Sequence, residues 1–415
     1  MVGCCGTSPP PPTETKVPPL GTTHPEEAHL GGGGRNRTAV RGFAGPCLNH
    51  SATPPRRLGI LLFAHRWLNA FMKIGIIAPP WTPIPPDLYG GIELVVDQLA
   101  RGFQDLGHEV LLFATGDSTC PVPTQWILPT AEGHRIGSAV PEIRHVMHAY
   151  DAVAGCDIVH DHTMMGPFFS ARYPDLPVVT TIHGPFNEEL TDLYRVITQR
   201  VPLIAISHAQ SAAAPEIPVA RVIHHGVDAS SFPSGDGSGD GEGDYVLFLG
   251  RMAEDKGAHR AIAAARSAGL RILMAAKMRE PSEMRYFAEF VEPLLGEDVV
   301  YLGEVSHERK LELLAGARAL LFPIRWNEPF GMVMIEAMAC GTPVIAFKEG
   351  AAPEVVSDGQ TGFLVDDVEA MATAIGRLDE LSRSDCRSAV ENYFSTGRMA
   401  AEHVALFESL LAKGA

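Results

Sequence analysis

From Met72 onward the sequence keeps repeating one pattern: a short apolar run, polar residues at its end, then a segment with helical spacing. "KIGIIAP", "EVLLFATG", "CDIVHDH", "PVVTTIHG", "VPLIAISH" and "ARVIHHGV" are such runs, and "YVLFLGR", "LRILMAAK", "DVVYLGEV", "RALLFPI" and "PVIAF" resume the series further on. Runs of this length and near-continuous apolarity suit strands buried on both faces, as in parallel sheets, whose crossovers are normally helical. Between the first two runs, Ile92, Val95, Val96, Leu99, Phe103 and Leu106 recur at helical spacing, and Gly107 closes the helix. The fold class that follows is α/β, with two doubly wound Rossmann-like domains.

The two series are separated by "FPSGDGSGDGEGD" (232–244), which lacks periodicity and reads as a flexible linker or exposed loop. The expected domains are therefore 72–231 and 245–397, with a last helical pattern over 398–415. A length of 415 residues suits two domains better than one core. Residues 1–71 stand apart. They contain "SPPPPTE" and "GGGG" and have no acidic residue between Ala28 and Met72. Such a segment buries little apolar surface, so disorder is expected there, with folding beginning at Met72 and the tail either a start-site artefact or a dispensable arm. A targeting or membrane-surface segment is the other reading, since "RRLGILLFAHRW" mimics a signal peptide.

A net charge of −16 argues against nucleic acid as the main partner. The seven cysteines are scattered without CxxC or zinc spacing, which reads as inert thiols in a reducing cytoplasm. No apolar run approaches the roughly 20 residues that span a bilayer.

Ligands of doubly wound sheets sit at the carboxyl ends of the strands, and two such domains facing each other make a cleft. One stretch stands out there. "NEPFGMVMIEAMACGTPV" (327–344) places Glu328 and Glu336 eight positions apart, the second within an otherwise apolar or small run. It reads as a loop, a buried helix with Asn327 as cap and Pro329 at its start, and a stop at Gly341 and Pro343. Glu336 is then either a buried carboxylate paired with an Arg or a backbone cap, or a cleft-facing group bonded to ligand hydroxyls. Eight helical residues rise about 12 Å. That is wider than the roughly 5 to 9.5 Å of carboxyl pairs flanking a single glycosidic bond. The spacing suits two ends of one long ligand, with the amides of Phe330, Gly331 and Met332 between them as an anion site. A sugar, a diphosphate and a ribose meet that order.

Other segments offer candidates with bland alternatives beside them. Arg251 and Lys256 in "GRMAEDKG" lie just beyond a strand and could hold a diphosphate, or belong to a solvated loop with Glu254 and Asp255. Gly90 and Gly91 in "LYGGIEL" allow close approach of backbone to a phosphate or sugar, though a turn also needs glycine. No G-x-G-x-x-G joins strand to helix. His183 ends a strand before a Gly–Pro turn, where it either bonds a sugar hydroxyl or leaving phosphate or is satisfied by backbone. His160 and His162 share a strand face; metal binding needs a third ligand that the sequence does not offer, so His162 is placed in an acceptor pocket.

Taken together, these segments resemble the retaining glycosyltransferases of family four, which have the GT-B fold. The resemblance runs from Met72 to about Leu411. Its most specific element, Glu328-Pro-Phe-Gly-x4-Glu336, looks like the family's E-x7-E motif. "GRMAEDKG" looks like its donor-phosphate segment, "YGGIE" its glycine loop, and "AISHAQ" and "HHGVD" its first-domain landmarks. His225 departs from the Asn that relatives more often carry. The resemblance implies transfer of a hexose from a nucleoside-diphosphate sugar to an acceptor hydroxyl on a glycan, glycolipid or small molecule, with retained configuration and without a metal or other cofactor. It implies that Glu328 bonds the donor hexose, Glu336 the ribose, and Arg251 and Lys256 the diphosphate. Gly331 and Met332 then contribute amides, His183 lies near the reacting face, and Val305 packs by the base. It further implies a last helix that crosses back to the first domain, a carbohydrate or lipid-linked acceptor, and peripheral membrane contact as one way of reaching it. A non-catalytic nucleotide-sugar-binding protein on the same fold is the alternative. A nicotinamide oxidoreductase also suits two doubly wound domains, but lacks its glycine fingerprint here.

Overall fold

The computed structural model describes residues 71–88, 90–239 and 243–414; the expectation for the N-terminal tail lies outside these residues except at Phe71. The first sheet has seven parallel strands in the order β3-β2-β1-β4-β5-β6-β7. These are β1 (Lys73–Ile77), β2 (Glu109–Phe113), β3 (Thr124–Gln125), β4 (Ile158–Asp161), β5 (Val178–Thr181), β6 (Leu203–Ala205) and β7 (Val219–Val222). The second has six, in the order β10-β9-β8-β11-β12-β13. They are β8 (Tyr245–Arg251), β9 (Arg271–Lys277), β10 (Val299–Gly303), β11 (Leu320–Phe322), β12 (Val344–Phe347) and β13 (Gly362–Val365). Every pairing is parallel. This is the doubly wound arrangement that the alternation of runs dictates.

The inner strands of both sheets are buried on both faces, which is why they show no polar alternation, whereas the edge strands β3 and β7 are partly exposed. On β1, Ile74 and Ile76 enter one core while Ile77 enters the other. On β8, Tyr245 and Leu247 face one core and Val246 and Phe248 the opposite one. The strand order reverses between β1 and β4 and again between β8 and β11. In doubly wound sheets, ligands bind in the crevice at such switch points.

Two crossings join the domains. At the first, Val227 N–H donates to Phe394 O (2.9 Å) and Thr396 N–H to Val227 O (3.2 Å). Arg398 fixes the same loop by donating to the carbonyls of His224 (2.7 Å) and His225 (3.1 Å). The last helix, Thr396–Gly414, then lies on helix Gly91–Asp105, with Phe103 and Phe407 ring centroids 5.6 Å apart. The Gly/Asp/Ser segment differs from a free linker wherever it is described. Gly235 N–H donates to Cys340 O (3.0 Å) and Gly239 N–H to Gly316 O (3.0 Å). A Cβ at Gly235 would sit 2.0 Å from Ala315 O. Here glycine permits close packing of backbone on the second domain, a use that composition does not distinguish from flexibility.

Candidate functional site

A cleft of ≈ 1840 Å3 lies between the carboxyl edges of the two sheets. Gly90, Gly91 and His183 line it from the first domain; Lys256, Val305, Glu328, Phe330, Gly331, Met332 and Glu336 line it from the second.

The segment after β11 is built differently from its sequence reading. The helix is Met332–Ala339 and its N-cap is Gly331 at φ 83°, without a side-chain cap. Asn327 and Pro329 precede it in a loop. The left-handed turn at Gly331 is what ends the loop, a conformation costly for any residue with a Cβ. A Cβ there would also come within 2.7 Å of Met334 Cε. The loop before it is held from outside: Ala351 N–H donates to Glu328 O (3.0 Å), and Gly350, at φ 54°, leaves no room for a Cβ against the Glu328 backbone. The amides of Met332 and Val333, at the start of this helix, precede any intrahelical acceptor and lie between the two glutamates in the chain.

Each glutamate carries a lysine. Glu336 is buried, 3 % exposed, and its Oε1 accepts from Lys310 Nζ at 2.7 Å. The paired reading of Glu336 thus holds, with a lysine in place of the expected arginine, and the pair also lines the cleft. Lys310 lies on helix His307–Gly316, capped by Ser306. Glu328 Oε2 accepts from Lys256 Nζ and from Trp326 Nε1 (2.8 Å), and Lys256 sits 4.5 Å from the Trp326 ring centroid. Sequence reasoning assigned Lys256 and Glu328 to different parts of a ligand; the structure pairs them with each other. It missed Lys310 and Trp326. The Ser306 cap places a helix there, and Trp326 stands two residues before Glu328, but neither partner is legible without the tertiary fold.

Arg251 is directed elsewhere. Its guanidinium lies 3.6 Å from Asp255 and 3.5 Å from Glu283, and it is not among the residues lining the cleft. Gly90 is extended, and Gly91 begins helix Gly91–Asp105 with nothing within 4 Å of its Cβ position. Behind them Glu93 is buried in the first turn, and desolvation raises its carboxyl above the ordinary range.

His183 faces the cleft at the end of β5, and His162 does not. His162 is 5 % exposed and lies behind it, with His162 Nδ1 2.8 Å from His183 Nε2. The placement of His162 in an acceptor pocket is therefore corrected: its ring packs on His160, centroids 4.0 Å apart. His225, at the domain crossing, stacks on the other side of His183 at 5.5 Å. Desolvation holds His183 down to about 3 and His403 to about 4, and holds His160, His162 and His225 well below the ordinary value. These imidazoles are neutral across the physiological range. Among the described residues no group of three or more His, Cys, Asp or Glu side chains is placed to hold a metal ion.

One carboxylate bridges the domains beside the cleft. Glu354, in helix Ala352–Val355, accepts from the amides of His208 (2.8 Å) and Ala209 (2.6 Å) and from His224 Nε2 (2.8 Å). It caps a helix of the other domain, and those bonds hold its pKa below the usual carboxylate value against the opposing effect of burial.

Residues 237–393 match the family "Glycosyl transferases group 1" and residues 89–231 match "Glycosyltransferase Family 4". A phosphatidyl-myo-inositol mannosyltransferase of Mycolicibacterium smegmatis is 31% identical over 351 residues, covering 74% of this chain and 85% of that one. The crystal structure of AviGT4, a glycosyltransferase involved in avilamycin A biosynthesis, is 26% identical with a TM-score of 0.64, covering 82% of this chain and 98% of that one. Anabaena HepE in complex with UDP-glucose is 20% identical with a TM-score of 0.64, covering 81% and 99%, a likeness of fold. The two facing parallel sheets, the cleft between them and these matches place the chain in glycosyltransferase family 4, on the GT-B fold.

Proposed function

We propose that the chain is a retaining hexosyltransferase that moves a hexose from a nucleoside-diphosphate sugar to an acceptor hydroxyl without a metal. The observation that carries this reading is the order of groups along one wall: Lys256–Glu328, the amides at Gly331 and Met332, then Glu336–Lys310. In the ligand-free protein each carboxylate is neutralised by its lysine, so neither is a buried lone charge. A diphosphate entering between them competes for Lys256 and releases Glu328 to the hexose hydroxyls. At the far end Glu336 accepts from the ribose diol. Charge on the departing diphosphate is met by Lys256 and the helix amides, already oriented and partly shielded from water. Arg251 joins them on leaving Asp255 and Glu283. His183 contributes near the reacting face, and Val305 packs by the base.

The name of the mannosyltransferase relative supports a polyol headgroup on a lipid as one acceptor class, a glycan or small molecule being the other. A lipid acceptor brings peripheral contact with a membrane from the cytoplasmic side. No helix among the described residues is long and apolar enough to cross one. The test is turnover of GDP-mannose, UDP-glucose and ADP-glucose, with and without phosphatidylinositol vesicles, by the wild type and by Glu328→Ala and Glu336→Ala. Release of nucleoside diphosphate by the wild type and its loss in both variants is expected. Near-normal transfer by both variants ends the proposal, and tight donor binding without any transfer or hydrolysis favours a nucleotide-sugar-binding protein.

A further inference from the structure

His183 lines the cleft together with His134, His225 and His307, and its chemistry depends on which ring nitrogen carries the proton. Its Nε2 is committed to His162 Nδ1 at 2.8 Å, so exactly one of those two nitrogens is protonated when both rings are neutral. His162 decides which. Its other nitrogen, Nε2, is buried and has no hydrogen-bond partner among the described residues. A proton there would leave a buried donor unsatisfied, whereas a bare ring nitrogen leaves only an acceptor. His403 has this arrangement: Nδ1 donates to Met399 O (2.8 Å), and Nε2 has no partner among the described residues. Among the described residues no carboxylate is placed to hold His162 as imidazolium. Its ring neighbours are His160 and His183, and Asp161 on the same strand bonds Thr163 and Tyr150 instead. The backbone amide of His162 donates to Ile77 O (2.9 Å), which fixes the main chain at this position against β1.

We propose that His162 is a positioning residue that donates from Nδ1 to His183 Nε2, fixing His183 as the Nδ1–H tautomer and presenting a neutral N–H donor to an oxygen of the bound donor substrate. This rests on the hexosyltransfer reading only for the identity of that oxygen. His183 then neither gives nor takes a proton; it donates a hydrogen bond whose direction is set from behind, and His225 stacked 5.5 Å away keeps the ring from swinging.

Two experiments test it. In the ligand-free full chain labelled with 15N-histidine, with His183 resonances assigned by their loss in His183→Ala, His183 Nδ1 is expected to be of the protonated type and Nε2 of the bare type. The reverse assignment overturns the proposal. The second compares His162→Asn, which places an amide near the former Nδ1, with His162→Gln, which places it near Nε2, and His162→Phe, which keeps the ring volume. Turnover of GDP-mannose or UDP-glucose is read as kcat and KM. For Asn, kcat within about threefold of wild type is expected; for Gln and Phe, a kcat loss of roughly 10- to 100-fold at little-changed KM, the scale of a mispositioned group. If Phe is the best tolerated and Asn the worst, the residue fills volume and the proposal fails; should Phe not fold, Asn against Gln decides alone. If the wild type turns over neither sugar nucleotide, the hexosyltransfer reading fails, and the ligand-free spectrum still decides the tautomer.

Discussion

Glu336 and Lys310 form a pair whose worth lies in its completeness, at side-chain exposures of 5 % and 18 %. Lys310→Met leaves a buried carboxylate uncompensated and is expected to destabilise the protein by about 3 to 5 kcal/mol, whereas Lys310→Met with Glu336→Gln recovers most of the loss. Urea denaturation of the single and double variants measures this. Equal loss in both would mean that packing of the lysine stem, and not its charge, is what matters. Trp326 belongs to the same scale. Trp326→Phe removes the Nε1 donor to Glu328 while keeping a ring beneath Lys256, so a several-fold loss in kcat with little change in stability is expected. Much of this was readable only in part. An acid inside an apolar run announces that something neutralises it, and the sequence names the acid. It does not name Lys310, 26 residues away, because that pairing depends on how helix His307–Gly316 lies against helix Met332–Ala339.

Helix Met332–Ala339 shows where local reading stops. Asn327 and Pro329 are good helix starters, yet residues before Gly331 are held as a loop by Ala351 and Gly350, which lie beyond β12. Tertiary contact overrides propensity there. Most strands were legible because burial leaves apolar runs; β3, only two residues long, and β13, set between polar residues and Asp366–Asp367, were not read. Gly331→Ala should cost roughly 1 to 2 kcal/mol from backbone strain. Because the strain falls on the amides between the two glutamates, donor turnover should fall by more than stability does. Thermal melts alongside kcat check this; unchanged activity would remove the anion role of the helix start. Glu354 tests the domain crossing in the same way. Glu354→Ala removes the cap on helix His208–Ala212 and the partner of His224, and a more open average shape in small-angle scattering is expected.

The whole molecule carries an acid liability in its first domain. Burial depresses His145, His160, His162, His183, His225 and His403 in the folded state. In the unfolded chain each protonates near pH 6.5, so stability is lost as pH falls below that value and continues to fall toward the depressed folded values, about 4 for His145 and His403 and about 3 for His183. Each fully buried imidazole steepens the fall by roughly 1 kcal/mol per pH unit. Melting temperatures between pH 8 and pH 4.5 should be flat above about 7 and drop sharply below about 6; a flat profile throughout would mean that these rings are not held neutral. The fold and its cleft follow from the alternation of runs and the two switch points. What the cleft grips is decided most directly by a structure of the protein with an intact sugar nucleotide, UDP-glucose or GDP-mannose. The expected complex has the ribose on Glu336, the diphosphate on Lys256 and the amides of Gly331 and Met332, and the hexose on Glu328. A sugar nucleotide bound elsewhere, or the Glu328–Lys256 pair intact beside it, would contradict it.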